Sequence, residues 1–340
     1  MRLTAISHWI EPGPWKISRP ASAQLPANAA GLNQAAIVCG CELTPDTTFG
    51  RPNTIGYNCV VLPFSALFLL IPACAADLTV DHVTVSGKDL KQMQAQLASV
   101  GIPSEFGGPH SNGATQMAIA SFPDGSYLEL IALQTNPNEK ALAAHYWSKQ
   151  MLGNAGPTGW AVRSKDVAAE VARLRTAGIV VGPPSKSGRE RPDGAKLDWE
   201  TARVGEEPNG TFFPFLIRDF TPREARAFPS GKPTTTDFSG VKRVIIAVRD
   251  LNASIKRYRQ AYELPAPSKQ DDASLNAHLA TFAHTPVILA EPLNAQSWIA
   301  QRIERFGEGP CAFVLSSPKG SAKVSWFDPQ KLSWHLGYEK

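Results

Sequence analysis

The sequence predicts an α+β protein built from repeated βαβββ modules. Three observations carry this. The segments VTVSGKDLKQMQAQLASVGI, WAVRSKDVAAEVARLRTAGI and VIIAVRDLNASIKRYRQAYEL share strand, turn, Asp and amphipathic helix in one register. Each is followed by strand-like stretches divided by turn signals. The strands that bound the first segment set aliphatic side chains on one face and His, Thr, Tyr and Glu on the other. A single copy would be a generic strand and helix; three in one register make a repeat.

Each element has a local cause. Asp89, Asp166 and Asp250 stand where an N-cap accepts the first free helix amides. Leu90, Met93 and Leu97, then Val167, Val171 and Leu174, then Leu251, Ile255 and Tyr258 keep helical spacing. Gly101 and Gly178 suit the left-handed position past a helix end, where the third copy has Tyr262. Pro123-Asp124-Gly125 is a hairpin turn between ATQMAIASF and SYLELIAL. LDWETARV leads through Glu207-Pro208-Asn209-Gly210 to TFFPFLIRDF, and NAHLATFAHTPVILAEP supplies two strands of the third unit. A helix AQSWIAQRIERFG follows the third unit; the strand over 312–316 and the last stretch WFDPQKLSWHLGYEK, ending in a strand, then read as a fourth unit shortened by loss of its helix.

Strand side chains alternate between faces. Val80, His82 and Thr84 therefore share a face, as do Tyr127, Glu129 and Ile131. Val83 and Val85, with Leu128 and Leu130, turn the other way. Such a sheet packs on one side and can hold something on the other.

Length and charge narrow the function. The 340 residues leave room for about two domains. The net charge of +4 is small and its Lys and Arg are scattered, so no basic stripe points to nucleic acid. Of the five cysteines, Cys39, Cys41, Cys59, Cys74 and Cys311, only Cys311 falls in the regular part, so that part depends on neither disulfides nor structural zinc. Residues 1–59 lack periodicity and read as an unstructured extension or a misassigned start. Residues 60–76, with the apolar run VVLPFSALFLLI before Ala73-Cys74-Ala75, read as a signal peptide. The expected location is periplasmic or extracellular, with a lipoprotein anchored through Cys74 as the lesser option and a cytoplasmic protein as the alternative. The mature chain is expected to hold no integral membrane domain. Residues 77–221 form a first domain, the Pro- and Ser-rich 222–236 a linker, and 237–340 a second domain.

The motifs Asp81-His82-Val83, Gly107-Gly108-Pro109-His110 and Asp124-Gly125-Ser126-Tyr127-Leu128-Glu129-Leu130-Ile131 resemble those of the glyoxalase-like, or vicinal oxygen chelate, superfamily, nearest its larger glyoxalase-like domain proteins. Trp326-Phe327-Asp328-Pro329 followed by Leu336 looks like a closing strand of such a module. The resemblance implies paired βαβββ modules forming cupped mixed sheets of the glyoxalase/bleomycin-resistance type. It also implies a divalent metal (Zn, Ni, Fe or Mn) held by His and Glu from the first and last strands of each module.

Carried over by position, His82 and Glu129 match the ligands of the first module. They are the candidate metal ligands and equally the candidate acid–base pair. The other modules depart from the pattern. Gly159 and Pro214 take the ligand positions of the second, Arg243 and Ile288 those of the third, and Cys311 or Pro310 with Gly337 those of the fourth, while Glu291 comes too late. Two ligands do not fill the usual three-ligand catalytic site. A hydrogen-bonded pair that lines a pocket without metal stands beside the metal reading. His110, Thr115, Gln116, Tyr127 and Trp160 are candidate substrate contacts, with an exposed loop as the plain alternative for His110 and a buried aromatic for Trp160. Arg243 suits an anionic ligand or a surface salt bridge; His278 and His284 read as strand-surface and turn residues. Two functions follow: a metal-dependent lyase, isomerase or dioxygenase acting on a small oxygenated metabolite, or a metal-free protein that sequesters a small molecule. The expected partner is that small-molecule ligand, and a homodimer is left open.

Overall fold

A computed structural model describes residues 78–191, 193–206 and 211–340. The signal-peptide, lipoprotein and N-terminal extension readings, and the Glu207–Gly210 turn, lie outside the described residues.

The chain runs β1 (Val80–Ser86), α1 (Leu90–Ala98), β2 (Glu105–Pro109), β3 (Thr115–Ser121), β4 (Tyr127–Leu133), α2 (Glu139–Ala144) and α3 (Ser148–Leu152). It continues through β5 (Gly156–Arg163), α4 (Val167–Thr176), β6 (Ser185–Glu190), β7 (Lys196–Ala202), β8 (Phe215–Asp219) and α5 (Arg223–Ala227). Then come β9 (Gly240–Ala247), α6 (Leu251–Tyr262), β10 (Ser268–Asp272), β11 (Ala277–Thr281), β12 (Val287–Pro292) and α7 (Trp298–Phe306). The last elements are β13 (Gly309–Ser316), β14 (Ser325–Trp326), α8 (Pro329–Leu332) and β15 (His335–Glu339).

Two curled mixed sheets result, ordered β2-β3-β4-β1-β5-β8-β7-β6 and β10-β11-β12-β9-β13-β15-β14. Within each module the first and last strands pair parallel: β1 with β4, β5 with β8, β9 with β12 and β13 with β15. Across each pair of modules the first strands meet antiparallel.

The capping aspartates behave as their positions predict. Asp89 accepts from the Gln92 amide, Asp166 from Ala169 and Asp250 from Ala253. Gly101 (φ +83°) and Gly178 (φ +77°) are left-handed. In the third copy the left-handed residue is Glu263, not Tyr262, because α6, with 12 residues against 9 in α1 and 10 in α4, runs on through Tyr262 and buries it.

The aliphatic faces meet in one core. Val83, Val85, Leu128 and Trp160 from the first sheet pack in the same cluster as Val244, Ile246, Phe313 and Leu315 from the second, together with the inner faces of α1, α4 and α6. Burying each such side chain contributes roughly 1.5–3 kcal/mol.

The opposite faces differ. In the second sheet the concave face carries Ile245, Leu279, Ile288, Ala290 and Ala312, and Ile299 and Ile303 of α7 pack into it with Trp298 and Trp326 beside them. That cup is filled by its own helix. Arg243, two residues from Ile245, pairs with Glu339 at 3.0 Å, which is the salt-bridge reading. His278 is exposed beside Asp271 and His284 sits in a turn at φ +59°. The concave face of the first sheet stays open.

The stretch 222–236 is more than a tether. It holds α5, and its Thr234 exchanges hydrogen bonds with Ser121: the Ser121 amide donates to Thr234 Oγ1 at 2.9 Å and the Thr234 amide to Ser121 Oγ at 3.1 Å.

Candidate functional site

The open cup encloses about 830 Å³. This lies within the usual range for small-molecule sites, about 300–1,000 Å³. Its floor comes from β1, β3 and β4: His82, Met117, Tyr127, Glu129 and Ile131. Trp199, Thr201, Phe215 and Ile217 of β7 and β8 form the opposite wall, and His145, Tyr146 and Trp147 cover one end from the turn between α2 and α3. The outer strands of the sheet meet where Arg189 on β6 donates from Nη1 to the Gly107 carbonyl on β2 at 2.6 Å. That bond draws the curled sheet nearly closed around the cavity.

His82 is fixed from several sides. The β1–β5 register slips between Val80 and His82, so Asp81 is an extra residue in the strand. Such a bulge redirects neighbouring side chains. Val80 joins the core instead of sharing the His82 face, and the Asp81 carboxylate comes within 2.6 Å of His82 Nδ1. The imidazole stacks on Tyr127 at 4.8 Å between ring centres and takes the edge of Phe215 at 5.3 Å. Nε2 is left toward the cavity, 3.7 Å from Glu129 Oε2, and the Thr84 hydroxyl donates to that same oxygen at 3.2 Å. The alternation read from the sequence thus brings His82, Thr84, Tyr127 and Glu129 together.

Behind His82 lies a charged cluster. Asp81 is 1% exposed. Arg226 donates to both its oxygens, Nη1 to Oδ1 at 3.0 Å and Nη2 to Oδ2 at 2.9 Å, and Arg223 adds a further bond to Oδ2. Burial pushes the Asp81 carboxyl up, but Arg226, the His82 hydrogen bond and Arg223 outweigh it and hold the group well below the usual carboxylate range. Arg226 is also held by Asp219 and donates to the Tyr127 hydroxyl at 2.5 Å. Burial raises the Tyr127 phenol against the opposing pull of Arg226, so it stays neutral. An ionised Asp81 requires the proton on His82 Nδ1. Proton exchange with a ligand therefore falls to Nε2.

Burial tunes three further groups of the cup, His110, His145 and Tyr146. His110 is lowered by burial, and Arg189 adds to this against the pull of Glu129. His145 is brought down to about 4 by burial, then by His110 and Arg203, against Glu129. The Trp147 amide donates to His145 Nδ1 at 3.1 Å, so the neutral ring carries its proton on Nε2. Burial pushes Tyr146 up to about 12, against Arg203, whose guanidinium lies 3.9 Å over its ring.

Of the seven residues proposed from the sequence, His82, Glu129, His110 and Tyr127 line the cup. Thr115, Gln116 and Trp160 do not. Thr115 is buried beneath His110, with Oγ1 2.7 Å from its Nδ1. Gln116 faces away and donates to the Leu133 carbonyl at 2.8 Å. Trp160 is fully buried in the core on the other side of the sheet.

Asp81, Arg189, Trp199, Phe215 and Arg226 escaped the sequence reading. Arg226 lies in the 222–236 stretch read as a linker, 145 residues from Asp81. The only local sign of Asp81's part was its place beside His82.

The donor set can be compared with the metal that this fold implies. Strand pairing places Phe215, not Pro214, at the second-module counterpart of Glu129, and Gly159 at that of His82. In the second sheet Ala312, not Cys311 or Pro310, takes the corresponding first-strand position, with Gly337 on the last strand. Cys311 is a buried free thiol, pushed up to about 12 by burial. No group of three His, Cys, Asp or Glu converges among the described residues. His82 and Glu129 alone do not fit a chelated divalent metal, since the usual site needs three protein ligands.

The sequence profile described as a glyoxalase-like domain matches residues 80–262, more than half of the chain. The chain belongs to the glyoxalase-like domain family. Its fold is that of the vicinal oxygen chelate proteins. A hypothetical protein from Staphylococcus aureus shares the fold at 12% identity, with 77% of this chain and 98% of that one aligned and a TM-score of 0.56. A mutant 4-hydroxymandelate synthase from Streptomyces coelicolor aligns at 13% identity over 70% of each chain, TM-score 0.47. The Mn(II)-bound glyoxalase from Novosphingobium aromaticivorans aligns at 10% identity over 78% of this chain and 82% of that one, TM-score 0.44. No curated protein matches the sequence. Among the described residues no helix is long and apolar enough to cross a membrane.

Proposed function

We propose that this glyoxalase-like protein is an enzyme of the lyase or isomerase type that moves a proton on a small oxygenated metabolite held in the first cup. The observation that carries the reading is the Asp81–His82–Glu129 arrangement, with Nδ1 bound at 2.6 Å to Asp81 and Nε2 3.7 Å from Glu129 inside the cavity. Nε2 accepts the proton of a C–H bond beside a carbonyl, the bond's electrons pass to the carbonyl oxygen, and the proton returns through Nε2 or Glu129. Asp81 acts mainly by orientation, because two arginines already offset its charge. A general base of this kind contributes about 10²–10⁴-fold.

Deuterium uptake from D₂O into pyruvate and phenylpyruvate, followed by proton NMR, tests the reading. Wild type should exchange faster than buffer, and His82→Ala and Glu129→Gln should each lose about 100-fold or more. Exchange unchanged in both variants would remove the proton-transfer role. Carbon acids bound but never exchanged would favour sequestration, the reading that the small donor set also suits.

A further inference from the structure

We propose that the ligand of this cup is a monoanionic carboxylate with a flat apolar body, and that Arg189 anchors the carboxylate. The proposal takes from the preceding reading only that the first cup is the ligand site.

Among the described residues four Lys and Arg side chains line the cavity: Lys186, Arg189, Arg203 and Arg226. Three are otherwise engaged. Arg226 is saturated by Asp81, Asp219 and Tyr127. Arg203 is exposed and stacked on Tyr146. Lys186 is exposed, with its ammonium 5.7 Å from the Phe220 ring.

Arg189 differs from all three. It is half-buried, and among the described residues no carboxylate comes within 4.0 Å of it. Among the described residues its one side-chain hydrogen bond uses Nη1, on Gly107. That bond holds the guanidinium plane and leaves the Nε–Nη2 edge, the edge that grips a carboxylate with two parallel bonds. A half-buried charge without an ion partner is costly, and an anionic ligand offsets that cost. Burial is also the largest influence on this guanidinium, and lowers its pKa.

The body of the ligand follows from what surrounds Arg189. Ser187 stands opposite Trp199 and Arg189 opposite Leu197, which makes Trp199 the diagonal neighbour of Arg189 on the cavity face. Diagonal neighbours lie roughly 7–8 Å apart, within reach of a ring carrying a carboxylate. Phe215, Met117 and Ile131 extend the apolar wall. Glu129 on the floor repels a second negative charge, so a monoanion fits better than a dianion.

The test is equilibrium binding of phenylacetate and of its neutral isostere phenylacetamide to the full chain, by calorimetry. Wild type should bind phenylacetate at least about tenfold more tightly than the amide. Arg189→Gln should bring the two within about threefold, whereas Arg203→Gln and Glu129→Gln should keep the preference and Arg189→Lys, with the charge but not the fork, should keep part of it. The lysine variant keeps the charge and guards against a mere folding defect. Equal binding of the two probes by wild type, binding of neither, or a preference that survives Arg189→Gln or vanishes in Arg203→Gln overturns the proposal. Glu129→Gln separates it from the proton-transfer reading. If His82→Ala and Glu129→Gln both exchange protons like wild type while Arg189→Gln loses the preference, the proton-transfer reading falls and the anion site stands.

Discussion

Arg226 on α5 grips Asp81 on β1 with both ends of its guanidinium, Nη1 3.0 Å from one carboxylate oxygen and Nη2 2.9 Å from the other. The pair joins a short helix of the 222–236 stretch to the first strand of the cup, and Asp81 passes the constraint on to His82 at 2.6 Å. A site that looks like one strand's histidine is in fact set by a segment more than a hundred residues away.

Removing that grip exposes its worth. Arg226→Ala leaves the buried Asp81 charge short of its main partner and should cost about 3–5 kcal/mol in urea unfolding. Arg226→Lys keeps charge without the fork and should retain part of that stability while slowing proton exchange. A loss under about 1 kcal/mol in the alanine variant would contradict the assignment.

Acid should loosen the cup through His145. Its folded pKa is depressed from 6.5 to about 4. A depressed value means that the unfolded chain binds the proton first, so the contribution is full above pH 6.5 and is lost as pH falls toward 4. Denaturant midpoints measured across that window should fall for wild type and fall less steeply for His145→Gln. Identical slopes would refute the burial of this ring.

Chelation should matter little. With two donors where three are needed, dialysis against EDTA should leave proton exchange within about twofold of the untreated protein. A tenfold or larger loss, restored by one divalent ion, would show that a ligand outside His82 and Glu129 completes a metal site.

Trp160 separates core from site. It is buried on the aliphatic side, so Trp160→Ala should cost about 3–5 kcal/mol, while Trp160→Phe should leave phenylacetate affinity within about twofold. A large affinity change in the phenylalanine variant, with stability intact, would return Trp160 to the cup.

Gly156 joins the two sheets at close quarters. It is left-handed at φ +67°, and an added Cβ would stand 2.6 Å from Trp334 Cβ. Gly156→Ala should therefore cost more than about 2 kcal/mol, read by thermal or urea unfolding.

Much of the molecule was legible along the chain. The capping aspartates, the left-handed Gly101 and Gly178 and the period-two faces of β1 and β4 are local, because caps and pleats depend on residues a few positions apart. These sufficed for the βαβββ repeat and for placing His82 and Glu129 on one face. Pro214 and Cys311 were each one residue away from the register that strand pairing sets.

What the sequence determined by itself was the repeat, the aliphatic core and one strand pair carrying His82 and Glu129, since each follows from neighbours in the chain. Tertiary structure alone decided that α7 fills one cup and leaves the other open, that a bulge turns Asp81 onto His82, and that Arg226 and Arg189 reach the site. Those choices depend on the curl of the sheets and on charges meeting across long loops. Spacing along the chain fixes neither.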